Sequence, residues 1–434
     1  MTHALILACG TGLRGESLDR FPSVSIGGLT QLRRLVRSCI KSGVEDITVV
    51  SPLAETDLRA MLPESVSGAA RITFTLPGKP EPETERSRPQ NMLVLQSNLF
   101  FQRAVLEKFL SEKPSAGGAV LMKMYEETPV GEKRKIPIGA AVVESEAVAD
   151  LLEDCDLSRW VGRYRDEGVK EFFVDETAYA MNLDTDGGET SEEAWRLLSS
   201  SVGKTSTGWI ARNINGRLSL PTSAWLARNT SLTPNQISVF TNVLTGVPCM
   251  IAYLTGYPVI GAVFMQLAAV LDRCDGEVAR LKMLETKRGE WVDTLSDQIT
   301  IGGFVLSVPV GYYLHGGQPS LALSLGALNA VIFLLFLSWS FIFMVRYTGS
   351  GSLVSYHRID ELLGGENLSP ARRLLAFLRP VMRRNFYSLA FVFIAIFGGY
   401  PWILGITTLG LVGIFIHQAE DFFRIRDRFF GGKT

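Results

Sequence analysis

The rhythm of hydrophobic and polar positions changes near the middle of the chain. Before residue 200 the apolar residues come in short bursts between charged stretches. ALILAC (4–9), DITVVSP (46–52) and NMLVLQS (91–97) are apolar runs of strand length. LTQLRRLVRSCIKSG (29–43) and RAVLEKFLSEK (103–113) instead carry the three-to-four-residue spacing of amphipathic helices, the first closed by Gly43. GGETSEEAWRLLSS (187–200) predicts a last, N-capped helix, and the Pro-rich PGKPEPETERSRPQ (77–90) predicts a loop. Strands alternating with helices predict an α/β domain, Rossmann-like, on a largely parallel sheet.

Beyond residue 233 the apolar runs lengthen to what a bilayer requires. Six spans are expected, at 235–256, 258–282, 292–314, 320–346, 385–399 and 401–422. Between the halves, 202–236 is basic and amphipathic, with Trp209 and Trp225 among Lys204, Arg212, Arg217 and Arg228. One or two helices lying at the membrane surface are predicted there. The expected layout is therefore a soluble domain over 1–200, interfacial helices over 201–232, an all-α six-helix transmembrane bundle over 233–428 and a tail over 429–434.

The net charge of −1 is too balanced to suggest a nucleic-acid partner. Where the cations fall is more informative. The short connections LTGYP, LHGGQPS and GGYPW lack Lys and Arg, whereas the alternate ones hold Lys282, Lys287, Arg288, Arg346, Arg358, Arg372 and Arg373. Positive loops face the cytoplasm, so both termini and the soluble domain are expected there, in a multi-pass protein of the cell membrane. The N-terminal MTHALILACG has no basic leader and reads as a buried strand. Five scattered cysteines without CxxC spacing argue against a disulfide framework or zinc and fit a reducing compartment.

One stretch breaks the apolar pattern: LDRCDGEVARLKMLETKRGEWVDTLSD (271–297) sits between membrane-length runs yet holds Asp272, Asp275, Asp293 and Asp297. At about 100° per residue, Asp272, Asp275, Gly276 and Ala279 share one arc of a helix. Asp293 and Asp297 share a face one turn apart on the next helix. Carboxylates at such depth are costly and mark a functional site by default. Arg273, Arg280, Lys282, Lys287 and Arg288 are too few, and too often on other faces, to neutralise all four. Clustered hard oxygen ligands favour two Mg²⁺ or Mn²⁺ ions. Gly276, Ala279 and Gly289 leave room for a ligand or a close helix approach. The blander alternative is a salt-bridge network at the membrane surface.

The same residues form D-x2-D-G-x2-A-R-x8-G-x3-D-x3-D, position for position the signature of the CDP-alcohol phosphotransferases. Residues 203–428 resemble that family, which also has six spans and a juxtamembrane amphipathic helix, and TPNQIS (233–238) is similar to its usual lead into the first span. The resemblance implies transfer of a substituted phosphate from a CDP-linked donor to the hydroxyl of an alcohol or polyol acceptor, with release of CMP. It implies that Asp272, Asp275 and Asp293 ligate metal, and that Asp297 ligates and acts as general base. Gly276, Ala279 and Gly289 would line the cytidine pocket and Arg280 would hold the phosphates. A homodimer among membrane lipids is implied as well. Arg379, Arg383 and Arg384, before the fifth span, are candidates for binding an acceptor or lipid phosphate, or serve only as a positive flank. The four histidines, His3, His315, His357 and His417, are dispersed and form no ligand set.

LILACGTGLRG (5–15) resembles the opening of the nucleotidyltransferases, L-A-x-G-x-G-x-R, in Gly10, Gly12 and Arg14. MNLDTDGGETSEEAW (181–195) resembles that family's closing segment. The departures matter more. Ser23 or Val24 stands where the family has lysine, Ser97 and Asn98 where its first metal-binding aspartate is, and Asn182 where its second is. Without those carboxylates nucleotidyl transfer is expected to be very slow. The fusion is similar in layout to proteins joining an inositol-phosphate cytidylyltransferase to a di-inositol-phosphate-phosphate synthase. An inactive front half leaves CDP-diacylglycerol as plausible a donor as a soluble CDP-alcohol. The alternatives are a truly bifunctional enzyme and a non-catalytic membrane scaffold or metal transporter.

Overall fold

The computed structural model describes residues 3–12, 17–62, 70–78, 91–114, 118–127, 133–144, 169–175, 178–183, 189–204, 209–349, 351 and 383–430, with 148, 151, 152, 155, 157, 159 and 160 between them. Two compact units result, Met1–Ser201 and Val202–Thr434.

The first unit is built on β1 (His3–Leu7), β2 (Ser25–Ile26), β3 (Leu29–Thr30), β4 (Asp46–Val50), β5 (Arg71–Thr75), β6 (Asn91–Gln96), β7 (Leu99–Phe101), β8 (Ala119–Glu127), β9 (Lys133–Glu144), β10 (Val169–Phe173) and β11 (Ala180–Asn182). The main sheet runs β10-β8-β9-β6-β1-β4-β5. β1 lies parallel to β4 and β6, and every side chain along it is buried. That burial on both faces is why ALIL shows no alternation in the sequence. Helices α1 (Gln31–Lys41), α2 (Glu55–Ala60) and α3 (Arg103–Leu110) follow strands as parallel crossovers require. Gly43 ends α1 with φ +84°, a conformation glycine adopts without strain. Apolar alternation does not distinguish strand direction, so the antiparallel insertion of β9 between β6 and β8 is legible only in the structure. The expected last helix is α4 (Glu189–Lys204).

The second unit is helical. α5 (Gly216–Asn229) follows a π turn at Ala211–Asn215; α6 (Pro234–Thr241) and α7 (Val247–Leu254) run on through another at Asn242–Gly246. α8 (Pro258–Leu281), α9 (Lys287–Leu314), α10 (Pro319–Phe343) and α11 (Arg384–Phe430) complete it. α11 is two helices merged across a break at Gly399, whose φ of 59° and ψ of −151° are non-helical. Against the six spans expected, three segments among the described residues are long and apolar enough to cross a membrane: Pro234–Leu254, Pro319–Arg346 and Arg384–Glu420. The difference has two physical sources. α8 and α9, at 24 and 28 residues, have the length but carry the charged stretch, and the last segment holds two expected spans on either side of Gly399. The apolar helices make this unit a membrane structure.

Close approach explains the packing. A Cβ at Gly311 would stand 2.2 Å from the Tyr253 carbonyl oxygen, so α9 crosses α7 there only because position 311 is glycine. α5 buries Gly216, Ser219, Ser223 and Ala227 and leaves Leu218 and Trp225 exposed, with Trp209 exposed just before it. Its small polar face, read from sequence as part of an interfacial segment, docks on α8. Ser219 and Ser223 donate to the two carboxylate oxygens of Glu277 at 2.8 and 2.7 Å.

Candidate active site

The site forms where α8 turns into α9. Met283, at φ 53°, makes the turn, and Thr286 caps α9 by accepting from the Gly289 amide at 3.0 Å. The hairpin brings Asp272 and Asp275 of α8 against Asp293 of α9. One carboxylate oxygen from each lies within 4.8 Å of the others. Asp275 is 5 % exposed and accepts from the Ser238 hydroxyl and the Gly276 amide. Three carboxylates this close repel one another strongly in a low-dielectric setting and demand cations.

One cation comes from a distant part of the chain. The Arg384 guanidinium, at the start of α11, reaches Asp272 at 3.2 Å and also pairs with Asp297. Asp297 shares the Arg384 guanidinium with Asp272 and lies beside the trio of Asp272, Asp275 and Asp293. Sequence reading leaves Arg384 as either a phosphate ligand or a positive flank; the fold turns it inward, with 14 % of its side chain exposed. Arg383 is exposed beside it, and Arg379 lies outside the described residues.

Beside the trio is a cavity of about 220 Å³. Gly276, Ala279, Arg280 and Gly289, singled out as nucleotide contacts, all line it together with Asp275 and Asp293. A Cβ on Gly276 would meet only the Arg280 guanidinium, at 4.0 Å. The Arg280 Nε is buried and has no hydrogen-bond partner among the described residues. A buried guanidinium nitrogen in that state suits an anion.

Asn235 and Ser238 of α6 complete the wall, and local sequence explains their aim. Thr233 and Gln236 form a capping box, the Gln236 side chain accepting from the Thr233 amide at 2.9 Å, with Pro234 in the first turn. The box fixes the start of α6 so that its second turn faces Asp275. Ser238 and Asn235 are the residues that sequence reasoning missed; Arg384 was singled out, but not as a partner of the aspartates. Only the TPNQIS motif hinted at the first two, and nothing local marks Arg384 as their neighbour.

In the first unit the candidate nucleotidyl residues are turned inward. Ser97 is fully buried and donates to the Leu18 carbonyl at 2.6 Å. Asn182 is 4 % exposed and accepts from the Gly139 amide at 3.1 Å. Asn98 is fully buried against Leu183. Gly10 adopts φ +75°, and a Cβ there would strike the Cys155 carbonyl at 2.4 Å, so another segment packs onto the loop. A hydrogen bond with Cys155, then burial, raises the adjoining Cys9 thiol far above the ordinary thiol range. Gly12 is buried, Ser23 is exposed and bonded to the Arg20 carbonyl, and Arg14 lies outside the described residues. His3 and His315 have separate partners, Thr48 and the Leu254 carbonyl, and His357 lies outside the described residues.

Residues 231–365 match the profile of the CDP-alcohol phosphatidyltransferase family. The chain is 28 % identical over 354 residues to a bifunctional IPC transferase and DIPP synthase of Thermococcus kodakarensis, covering 72 % of this chain and 78 % of that protein. A protein of the same description from Aquifex aeolicus is 35 % identical over 117 residues, 27 % of this chain and 26 % of that one. Among solved structures, the inositol-1-phosphate CTP transferase of T. maritima aligns with 45 % of this chain and 96 % of its own, at 17 % identity and a TM-score of 0.30. A glucose-1-phosphate thymidylyltransferase from Bacillus anthracis covers 49 % and 96 %, at 13 % identity and a TM-score of 0.33. The profile match brackets the hairpin that carries the aspartates, and residues 231–365 of this chain are similar to the CDP-alcohol phosphatidyltransferase family.

Proposed function

We propose that the C-terminal domain transfers a substituted phosphate from a CDP-linked donor to an acceptor hydroxyl and releases CMP, using two divalent ions held by Asp272, Asp275, Asp293 and Asp297. The observation that carries this reading is the aspartate trio opening onto a cavity lined by Gly276, Ala279, Arg280 and Gly289. The donor set fits such ions. All the ligand atoms are hard oxygens, and Mg²⁺ binds oxygens at about 2.1 Å, so one ion spans about 4.2 Å between opposite ligands. The trio's carboxylate oxygens, all within 4.8 Å of one another, are close enough to share divalent cations. Bound there, the ions supply charge neutralisation at the pyrophosphate oxygens.

The remaining roles fall to the chain's own residues. Arg280 offers its unpaired nitrogen to the donor phosphates, and the small residues at 276, 279 and 289 leave space for the cytidine. Ser238 holds one Asp275 oxygen and so fixes its rotamer. Asp297 takes the proton of the acceptor hydroxyl, positioned by Arg384, whose guanidinium fixes one of its oxygens. In this reading the chain is a multi-pass homodimer in the cell membrane with both termini cytoplasmic, supported by basic residues in alternate connections. The domain limits follow as 1–200, 201–232 and 233–428.

The relatives' description as bifunctional raises the question of a second activity. The neutral, inward-bonded Ser97 and Asn182 favour a front domain that performs no nucleotidyl transfer. The donor is then made elsewhere, as CDP-diacylglycerol or a soluble CDP-alcohol. The test combines CMP release with mass spectrometry of lipid and water-soluble products from membranes given candidate donors and polyol acceptors. Asp297→Asn is expected to abolish turnover while retaining CDP binding, whereas Asp275→Asn weakens Mn²⁺ and CDP binding together. Equal loss of CDP affinity in both variants refutes the division of roles.

A further inference from the structure

The aspartate-bearing end of α9 is held from outside by a strap of main chain. Glu290, Trp291 and Thr294 mark the place, on a flank of the face that Gly289, Asp293 and Asp297 share. The strap comes from α10. A π turn at Met344–Thr348 ends that helix, and the Gly349 amide donates to the Met344 carbonyl at 2.9 Å. Gly349, at φ 60°, reverses the chain, and Gly351 arrives buried on α9. Both backbone groups of Gly351 are used there. Its amide donates to a Glu290 carboxylate oxygen at 3.3 Å, and its carbonyl accepts from the Thr294 hydroxyl at 2.7 Å. Only glycine fits: a Cβ would stand 2.6 Å from the Trp291 amide nitrogen and 2.8 Å from its indole Cδ1.

Two further observations tie the strap to the site. A helical threonine commonly turns its hydroxyl to the carbonyl four residues back. The buried Thr294 hydroxyl instead reaches across to Gly351, so its bond joins two elements. Trp291, against which Gly351 packs, stacks on Phe341 of α10 with ring centroids 5.9 Å apart. The residues gripped this way enclose Asp293, and Glu290 lines the cavity together with Gly289 and Asp293. Metal–ligand distances hold to about 0.2 Å. An alanine Cβ at 351 would intrude about 1 Å within an ordinary contact of about 3.5 Å, several times that tolerance.

We infer that Gly351 and Thr294 are positioning residues for the metal site. The strap fixes the rotation and depth of the first turns of α9, and through them the point at which the Asp293 carboxylate meets those of Asp272 and Asp275. The inference rests on the proposed transferase reading and adds to it two residues that line no part of the cavity. One of them lies more than fifty residues beyond Asp293, on a segment whose glycines resemble ordinary loop punctuation.

The test uses the full chain in nanodiscs, with Mn²⁺ affinity read by electron paramagnetic resonance and CDP binding by calorimetry. Thr294→Val keeps the side chain's shape and removes the donor, and Thr294→Ser restores the donor. Thr408→Val deletes a buried hydroxyl of α11 that donates to the Leu404 carbonyl at 2.9 Å, and so controls for general loosening. Thr294→Val and Gly351→Ala are each expected to weaken Mn²⁺ binding at least fivefold. The double variant should be little worse than the weaker-binding single, because both changes open one clamp. Thr294→Ser and Thr408→Val are expected to stay within twofold of wild type. If Gly351→Ala does not fold, the Thr294 pair decides alone. Wild-type Mn²⁺ affinity in Thr294→Val, or an equal loss in Thr408→Val, overturns the inference and leaves the transferase reading standing on the CDP binding of wild type. A wild-type chain that binds neither Mn²⁺ nor CDP removes the transferase reading, and this inference with it.

Discussion

Glu277 lies two residues beyond Asp275 and is 1 % exposed. It accepts from Ser219 at 2.8 Å, from Ser223 at 2.7 Å and from the Arg273 guanidinium at 3.2 Å. Glu277→Ala removes the carboxylate that joins these contacts, and with it this ion pair to an arginine whose side chain is 15 % exposed. Breaking a buried pair by deleting one partner costs about 3–5 kcal/mol. Arg273 keeps a contact to the Ser219 hydroxyl at 3.2 Å, and helical serines can turn to the carbonyl four residues back, so the lower half of that range is expected. Glu277→Gln keeps an acceptor for one serine and loses the charge-assisted part, about 1–2 kcal/mol. The assay is thermal unfolding in detergent, followed by circular dichroism and by proteolysis between α5 and α6. The order wild type, Glu277→Gln, Glu277→Ala is expected, and in the Glu277→Ala background Ser223→Ala should cost almost nothing more. An alanine variant as stable as wild type refutes the idea that this carboxylate clamps α5 to the helix bearing Asp272 and Asp275.

Four further outcomes follow from the site and the soluble unit. Chelation is expected to abolish CMP release, with Mg²⁺ or Mn²⁺ restoring it; activity that survives exhaustive chelation contradicts a metal role for the trio. Arg280→Met should weaken CDP binding by tenfold or more while Mn²⁺ affinity, read by electron paramagnetic resonance, stays within threefold. The full chain given CTP, Mg²⁺ and inositol phosphate should release pyrophosphate no faster than the no-protein control, because Ser97 and Asn182 are neutral and bonded inward. All five cysteines are buried, and burial pushes the Cys39 thiol up to about 12, so thiolate there forms only in strongly alkaline solution. At pH 8 a native sample should resist thiol reagents until denaturant is added.

What the sequence disclosed depended on whether the physics was local. β1, α1 and α3 were readable because burial and helical spacing act within a dozen residues, and the aspartates were readable because a charge in an apolar run stands out. Glu277 had the same signal, with Arg273 one turn before it, and its role as a clamp was within reach of the spacing argument. Arg384 was not. It sits 87 residues from Asp297, and a positive-inside flank and a buried counter-ion are written in the same letters. Packing decides between them: Ser388, one turn beyond Arg384, donates to the Gln266 side chain, whose amide in turn donates to Asn215. These contacts fix the rotation of α11 so that position 384 faces α8. If they set that rotation, Gln266→Leu should leave the aspartates in place yet cut turnover through Arg384, and Arg384→Lys, which keeps charge but loses the fork that reaches both Asp272 and Asp297, should lower turnover similarly. The double variant should then be little worse than either alone, whereas multiplied losses would mean that Gln266 acts on the site by some other route.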